Sequence, residues 1–260
     1  MMKMRRVLLA IAMIASLGAI AGCSGTGSAS AGDTKKFVFA NSGAYKPFSF
    51  DKSGKIVGFD VDIANEIAKR INREPVMQSP VPFDALIQGL KAGKYNALVA
   101  SHAITDERKQ QVDFSRPYYR SGAQIFVADD NSDIKAASDL QGKKVGVVKA
   151  STYLALAKTL TDAEKVTTYD SDVIALQDLG TGRVDAVITD KLVGLIAKNE
   201  SGLKINAVGE ILKQDEMGIA VKKGDTELLR SIDKALEDMI ADGTYEKISK
   251  RWFDENILGE

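Results

Sequence analysis

The stretch FDALIQGLKAGKYNALVASHAITDERKQQVDFSRPYY, residues 83–119, decides the fold class. Within it, ALIQGLKAG (85–93) has the apolar spacing of a helix that ends at a glycine. NALVAS (96–101), which follows, has the apolar character of a buried strand. Because helix and strand patterns alternate in this way along most of the chain, we predict an α/β protein built on parallel strands.

The alternation extends in both directions from this stretch. Before it lie the strand pattern FVFA (37–40) and the helix pattern DVDIANEIAKRI (60–71). After it, the predicted elements are the strands GAQIFVAD (122–129), KKVGVVKA (143–150) and VDAVITD (184–190), a helix that opens at Ser151, and a helix around DVIALQDLG (172–180). The tail predicts a short strand, EMGIAVKKG (216–224), and then two amphipathic helices.

The helix and strand of the opening stretch have an echo later in the chain. Six positions are matched at a constant offset of 89 residues, with Gly93 matched by Gly182 and Val99 by Ile188. Two similar lobes explain this echo, although two ordinary helix–strand units could also be alike by chance. The tail is too short to fold alone, so we place it on the first lobe.

These observations predict that the mature fold has two lobes. Lobe 1 comprises residues 37–121 and 216–260, and lobe 2 comprises residues 122–215. The chain then crosses between the lobes near Ser121 and near Asp215, which makes a hinge.

The N-terminus predicts export. Three basic residues precede an apolar run, 7–20, that is too short to span a bilayer, so residues 1–22 are expected to be a signal peptide. Its end, IAGC (20–23), resembles the bacterial lipobox, and Cys23 is therefore predicted to carry a lipid on a flexible linker, 23–36. A buried structural cysteine is the alternative. The predicted location is the cell envelope, with the protein anchored by lipid on the periplasmic or extracellular face.

Charge and cysteine content exclude several classes of function. The chain has 35 basic and 35 acidic side chains, with no basic stripe interleaved with aromatic residues, so we expect no nucleic-acid partner. Cys23 is the only cysteine, which excludes a disulfide framework and a thiolate metal site. We expect a monomer without metal or cofactor.

Charged residues near the predicted strand ends suit a small zwitterion. Ligands of open α/β sheets sit beyond the carboxyl ends of strands, which here are Ser101-His102 and Thr189-Asp190. Arg108, in the loop beyond the first strand, has the planar fork that fits a carboxylate. Asp190 suits an ammonium group. A solvated arginine and a surface pair between Asp190 and Lys191 are the alternatives.

Further candidates lie around the same predicted cleft. Ser151 and Thr152 stand where a helix begins, and free N–H groups there favour an anion, although a plain N-cap needs no ligand. Tyr45 and Phe83 lie in loops where aromatic rings can form the walls of a site, whereas Phe48 is assigned to the core. Asp60 and Asp62 open a helix and complement its dipole on different faces, so they are not assigned as a catalytic pair.

His102 is the only histidine in the chain, and it has two interpretations. No G-x-S-x-G or HExxH motif surrounds it, and Ser101 should point to the opposite face of the strand. We therefore predict a half-buried histidine at the cleft wall. The alternative is the general base of an enzyme.

Six blocks in order, YKPFSF, GFDVDIANEIAKR, the opening stretch, LQGKKVGVVKAST, GRVDAVITD and DGTYEKISKRWF, resemble the type 3 extracellular solute-binding proteins. These are the amino-acid receptors of bacterial ABC importers, and the similarity runs from about residue 36 to the C-terminus. The resemblance implies the two-lobed type II fold of periplasmic binding proteins, in which each lobe is a sheet flanked by helices and two hinge strands join the lobes. It also implies an ABC permease as the membrane partner.

By that resemblance, Arg108 binds the ligand α-carboxylate with help from Ser151 and Thr152, while Asp190 binds the α-ammonium. Tyr45 and Phe83 match the aromatic walls.

The chain departs from the family pattern at two positions. Many relatives have a hydroxyl residue at the position of Ala103. Relatives that bind basic amino acids often have an acid where Ser42 stands, so we expect a cationic ligand side chain to be disfavoured. The second half is most similar to the cystine-binding branch, so the predicted ligand is a polar amino acid or a cystine-like one, contacted also at Ser42, Ser101, His102 and Ala103. An enzyme on the same scaffold, such as a cyclohexadienyl dehydratase with His102 as its base, is the alternative, and a sensor domain a third possibility.

Overall fold

A computed structural model of the chain describes residues 35–259. It consists of helices and strands, and most of the strands form one continuous central sheet. The eleven strands are β1 (Lys36–Ala40), β2 (Ala44–Tyr45), β3 (Ser49–Lys52), β4 (Lys55–Val57), β5 (Glu74–Gln78), β6 (Ala97–Ala103), β7 (Val112–Ala128), β8 (Val145–Val148), β9 (Val166–Tyr169), β10 (Ala186–Asp190) and β11 (Ile205–Lys222). The predicted signal peptide, most of the linker and Cys23 lie outside the described residues.

Eight α-helices flank these strands, together with three short 3₁₀ turns. The helices are α1 (Phe59–Arg70), α2 (Leu86–Lys91), α3 (Asp106–Lys109), α4 (Thr152–Leu160), α5 (Asp172–Gly180), α6 (Lys191–Ser201), α7 (Thr226–Ala241) and α8 (Thr244–Phe253). Over residues 35–259, none of these helices combines the length and the apolar character that a membrane span requires.

The main sheet has eight strands in the order β5-β1-β6-β11-β7-β10-β8-β9. On one side β1 pairs in parallel with β5 and β6, and on the other β8 pairs in parallel with β9 and β10. The two halves of the order mirror each other around the central pair, β11 and β7, which is antiparallel. The predicted two-lobed α/β fold is confirmed, but its centre is antiparallel because both hinge strands run through it.

The hinge consists of two unusually long strands rather than two short links. β7 and β11 pair from Val112 opposite Lys222 to Ala128 opposite Ile205, with a register shift between Val208 and Lys213. The predicted short strand 216–224 was therefore wrong in length. Its first half was missed because INAVGEILKQD (205–215) is interrupted by that shift and by charged residues, so it has no regular alternation. Ser121 pairs directly with Asp215, so the two predicted crossing points lie side by side; the lobe boundaries themselves stay a prediction.

The echo in the sequence corresponds to the same structural unit in each lobe. α2 leads into β6 and α5 leads into β10, and both connections turn at a glycine with positive φ, 72° at Gly93 and 73° at Gly182. In each, the glycine N–H donates to the carbonyl three residues earlier, Leu90 at 3.0 Å and Leu179 at 3.1 Å. The repeat thus encodes a helix C-cap followed by a buried parallel strand.

Each half of the sheet is covered by apolar side chains on both faces. In β1, Phe37 and Phe39 pack with α1, α7 and α8, while Val38 and Ala40 pack with α2 on the other face. Leu228, Ile232 and Leu236 of α7 belong to the same core cluster as Phe37. The C-terminal helices therefore pack on the first half of the chain, as their length and pattern predicted.

Gly182 and Gly180 offer a matched test of the echo. Gly182→Ala should lower the free energy of unfolding by about 1 kcal/mol, because an L residue at positive φ brings its Cβ close to the backbone. Gly180→Ala, at the exposed end of α5 with nothing within 4 Å of an added Cβ, should be neutral or stabilising. Equal effects of the two substitutions on denaturant unfolding would show that the turn does not need a glycine.

Candidate functional site

A cavity lies between the two halves of the sheet, and residues from both line it. It encloses about 600 Å³, counting the part that opens to solvent. Its lining includes eight of the ten predicted ligand contacts, namely Ser42, Tyr45, Phe83, Ser101, Ala103, Arg108, Ser151 and Thr152. The other two, His102 and Asp190, do not line it. That the eight contact a ligand stays a prediction.

Arg108 is held so that its guanidinium reaches the cavity from lobe 1. Thr105 caps the short helix α3 and accepts a hydrogen bond from the Arg108 N–H at 3.2 Å. One guanidinium nitrogen, Nη1, donates to Ala103 O at 3.0 Å, and Nη2 donates across the cleft to Ala150 O at 3.1 Å. Burial lowers the pKa of Arg108, but a guanidinium stays charged in proteins. Its remaining N–H donors are available to an anion in the cavity.

Phe83 forms the aromatic wall next to Arg108. The guanidinium carbon lies 5.9 Å from the ring centroid, within cation–π range. The ring of His102 also stacks on Phe83, with the two ring centroids 4.6 Å apart. His102 is 1% exposed, and burial next to Arg108 lowers its pKa to about 3, so its ring is neutral. His102 was predicted to be half-buried but is fully buried, and its ring supports the ring of Phe83.

The backbone of β6 explains why His102 turns away from the cavity. Ser101 has a left-handed conformation, with φ 55°, which breaks the regular alternation of the strand. Ala100, Ser101 and Ala103 consequently all line the cavity, whereas His102 does not. The Ser101 hydroxyl donates to Asp60 at 3.0 Å rather than to His102, so the two neighbours form no dyad.

Asp60 has a role that the sequence did not suggest. It is fully buried, whereas we had assigned it to the helix dipole, and it accepts hydrogen bonds from Ser101 and, at 2.7 Å, from the Tyr118 hydroxyl. The same hydroxyl accepts a bond from the Ser101 N–H at 3.0 Å. Desolvation raises the pKa of Asp60 to about 7. These bonds fix the unusual backbone of Ser101 at the cavity wall.

The start of α4 supplies polar groups from lobe 2. Ser151 precedes the helix and donates to Val148 O at 2.7 Å, and Thr152 opens it. N–H groups in a first helical turn have no acceptor within the helix, so they favour an anion. Tyr153, which follows, also lines the cavity, and its hydroxyl is buried without a hydrogen-bond partner.

Asp190 lies beside the cavity, at the start of α6. One carboxylate oxygen, Oδ1, accepts hydrogen bonds from the Ser121 hydroxyl at 2.7 Å and from the Leu192 N–H at 2.8 Å, so Lys191 is not its partner. The other, Oδ2, is buried without any partner. Desolvation, with a smaller contribution from Asp172, raises the pKa of Asp190 to about 7. Asp190 is close enough to raise the pKa of Tyr45 and Tyr153, which both line the cavity.

Asp172 lines the cavity, and sequence reasoning missed it. It is 7% exposed in the first turn of α5, and its Oδ1 accepts a hydrogen bond from the Thr189 hydroxyl at 2.5 Å. Desolvation raises its pKa to about 6. The signal in the sequence is an acid shortly after the end of strand β9, but β9 is a short edge strand with two exposed threonines, and we did not predict it.

Tyr45 and Phe48 support the other side of the cavity. Tyr45 lines it and stacks on Phe48 with centroids 5.2 Å apart, and Phe48 in turn stacks on Tyr119 at 4.7 Å. Phe48 is fully buried, as predicted. Among residues 35–259, no three His, Cys, Asp or Glu side chains are grouped so that they could hold a metal ion.

Known proteins have sequences similar to that of this chain. The family model of the bacterial extracellular solute-binding proteins, family 3, matches residues 37–255. The L-cystine-binding protein TcyJ of Escherichia coli (strain K12) is 36% identical over 217 residues, which are 83% of this chain and 81% of TcyJ.

Two solved structures show the same arrangement of the lobes. An ancestral arginine-binding protein bound to glutamine is 43% identical, with a TM-score of 0.80 over 85% of this chain and 99% of the other. The ancestral amino acid-binding protein AncCDT-1, a precursor of cyclohexadienyl dehydratase, is 35% identical, with a TM-score of 0.78 over 84% and 96% of the two chains.

The buried acids predict how stability depends on pH. The pKa of Asp190 rises from 3.8 to about 7 on folding, so the folded state keeps a proton that the unfolded state releases above pH 4. This contribution is present at low pH and is lost as pH rises through 7. Asp190→Asn should therefore make the decline in unfolding free energy between pH 5 and 7 shallower in the ligand-free protein, as measured by denaturant titration at several pH values.

Asp242 provides the control for this measurement. Its hydrogen bonds with Thr244 and Arg70 hold its pKa at about 2, so its contribution is lost only below the pH range tested. Asp242→Asn should change the stability while leaving the slope between pH 5 and 7 as in the wild type. A wild-type slope in Asp190→Asn would contradict the proton held by Asp190.

Proposed function

Since the chain belongs to the bacterial extracellular solute-binding proteins, family 3, we propose that it is the binding component of an ABC amino-acid importer. Its two lobes close on an α-amino acid and present the closed form to a membrane permease. The ligand is a polar or cystine-like amino acid. The protein acts as a monomer in the cell envelope.

One observation carries this proposal: opposite charges from the two lobes are placed around one cavity. Arg108 of lobe 1 lines it, and beside it the Oδ2 atom of Asp190 of lobe 2 is buried without a partner. Leaving a buried carboxylate oxygen without a hydrogen-bond donor costs a free energy of about 1 kcal/mol to several kcal/mol. The carboxylate and ammonium groups of an α-amino acid satisfy both residues together.

Contacts across the cleft support closure around that ligand. Besides the bond from Arg108 to Ala150 O, Lys149 pairs with Asp84 at 3.1 Å and Lys46 pairs with Glu200 at 2.9 Å. The side chains of both ion pairs are about a third to a half exposed, and such pairs contribute little to stability. The ligand, which binds charges on both lobes, therefore supplies the main preference for the closed state.

A binding role fits His102 better than the enzyme alternative does. A general base must reach the proton that it removes, and it needs a pKa near the working pH. His102 is outside the cavity lining, its pKa is lowered to about 3, and its Nδ1 lies 3.2 Å from Ala100 O. TcyJ and both similar structures are named as binding proteins. We therefore propose that the protein converts none of its ligands.

Arg108→Ala and Asp190→Asn test the charge arrangement. Each leaves a charged group of the ligand desolvated and unpaired, which should weaken binding by about 2 to 5 kcal/mol, or at least about thirtyfold in Kd. Arg108→Ala should weaken every α-amino acid, because all of them carry the carboxylate. The measurement is calorimetric titration of the wild type and both variants with a bound amino acid identified by thermal-shift screening.

The des-amino analogue of that amino acid is the matched ligand control. Asp190→Asn should strongly weaken the binding of the amino acid but leave the affinity for the analogue unchanged, because the analogue has no ammonium group. Circular dichroism should show both variants folded. Equal losses for the amino acid and its analogue would mean that Asp190 does not bind the ammonium, and the proposed clamp would be wrong.

Cys23 is the residue that tests attachment to the envelope. IAGC (20–23) is similar to a lipobox, and a lipid chain would keep the receptor close to its permease. Cys23→Ser should move the protein from the membrane fraction to the soluble envelope fraction or the medium, with unchanged ligand affinity. Fractionation and titration of both forms measure this, and a variant that stays with the membrane would refute lipid attachment.

A further inference from the structure

Asp172 is a buried acid on the cavity wall. A ligand whose only charges are the α-carboxylate and the α-ammonium has no further positive charge to pair with it. We propose that Asp172 determines specificity by selecting α-amino acids that carry a second cationic group, an ammonium or a guanidinium. This inference rests on the proposed function, because it assumes that Arg108 and Asp190 bind the α-carboxylate and the α-ammonium. It goes further by naming the chemical class of the ligand side chain.

The charges around the cavity do not balance for a neutral side chain. Of the described residues that line it, Arg108 is the one basic side chain, while Asp170 and Asp172 are acidic. Asp170 is exposed and pairs with Lys149 at 2.6 Å. Asp215, buried near Arg108, pairs with Lys213 at 2.7 Å. Once Arg108 and Asp190 bind the two ends of the ligand, Asp172 is the buried carboxylate without an opposite charge.

The position of Asp172 suits a side-chain contact. α5, which begins at Asp172, lies close to β2 of lobe 1, which contains Tyr45, and both residues line the cavity. Asp172 is near enough to contribute to the raised pKa of the Tyr45 hydroxyl. Ser42, on the Tyr45 side, contributes only a hydroxyl. The expectation that a cationic side chain is disfavoured rested on Ser42 alone, and Asp172 supplies an acid from the other lobe.

A purely structural role explains less of what is observed. A carboxylate in the first turn of a helix is favourable at the surface, where water solvates it. Asp172 is instead 7% exposed, and the contact from Thr189 occupies one of its two oxygens. A carboxylate accepts several hydrogen bonds and prefers a charged partner when it is buried. A ligand cation in the cavity provides that partner.

The test compares ligands that differ only in the second cationic group. The pairs are L-arginine with L-citrulline, L-lysine with L-norleucine, and L-cystine with the mixed disulfide of L-cysteine and 3-mercaptopropionate. Calorimetric titration of the full chain should give at least one pair in which the cationic member binds at least about tenfold more tightly. Asp172→Asn should weaken the binding of the cationic member about thirtyfold and the binding of its partner less than about threefold.

Asp162→Asn is the control variant. Asp162 is an exposed acid of the same lobe that accepts a hydrogen bond from Gln141 outside the cavity, and its substitution should change neither affinity. Equal weakening of both members by Asp172→Asn would place Asp172 on the shared α-amino end and overturn the inference.

The two proposals fail in different ways. A wild-type protein that binds neutral amino acids and no cationic partner more tightly would overturn only the selection by Asp172. A wild-type protein that binds no amino acid at all would overturn the proposed function as well.

Discussion

Main-chain pairing between β7 and β11 is the constraint on which the rest of the structure depends. These strands run antiparallel through both lobes, so the sheet of each lobe grows outward from the same central pair. Bending at this pair, near Ser121 and Asp215, would move one lobe relative to the other without breaking either core. The pair also places the ends of β6 and β10 on opposite sides of one cleft. A ligand that touches both ends therefore couples its binding energy to the angle of the hinge.

Desolvation is the second constraint, because it determines what the cleft can hold. Asp60, Asp172 and Asp190 are all buried, and burial raises the pKa of each. Asp60 satisfies its oxygens internally, through Ser101 and Tyr118, and so acts as support for the wall. Asp190 has one oxygen that the protein leaves without a donor. The same physical effect thus gives a structural role to one carboxylate and, in the proposed function, a binding role to another.

The sequence predicted the fold well where its signals are local. The C-cap glycines at Gly93 and Gly182 and the apolar strands beside them identified the repeated unit, and periodic apolar residues located α1, α5 and α7. Parts that depend on distant partners were not predictable: β9 is held by its pairing with β8, and the first half of β11 by its pairing with β7. At the site, Arg108 and Ser151 were recognisable from chemistry and position. That His102 turns away from the cavity was not predictable, because it follows from the φ of Ser101, which is fixed by hydrogen bonds to two residues far away in sequence, Asp60 and Tyr118.

Arg108 shows how a binding protein can be ready for its ligand and still distinguish open from closed. Its bonds to Ala103 O within lobe 1 and to Ala150 O in lobe 2 use two of its five N–H donors. The first bond lies within lobe 1, so separation of the lobes would leave it intact and the guanidinium oriented. The second spans the cleft and would be lost if the lobes separated, but a single hydrogen bond contributes about 1 kcal/mol net, too little to hold the cleft shut alone. In the proposed clamp, the ligand carboxylate would occupy the remaining donors, and closure would then add the second bond and bring Asp190 to the ammonium group. On this proposal, binding by the first lobe and closure by the second would be consecutive uses of one preoriented side chain.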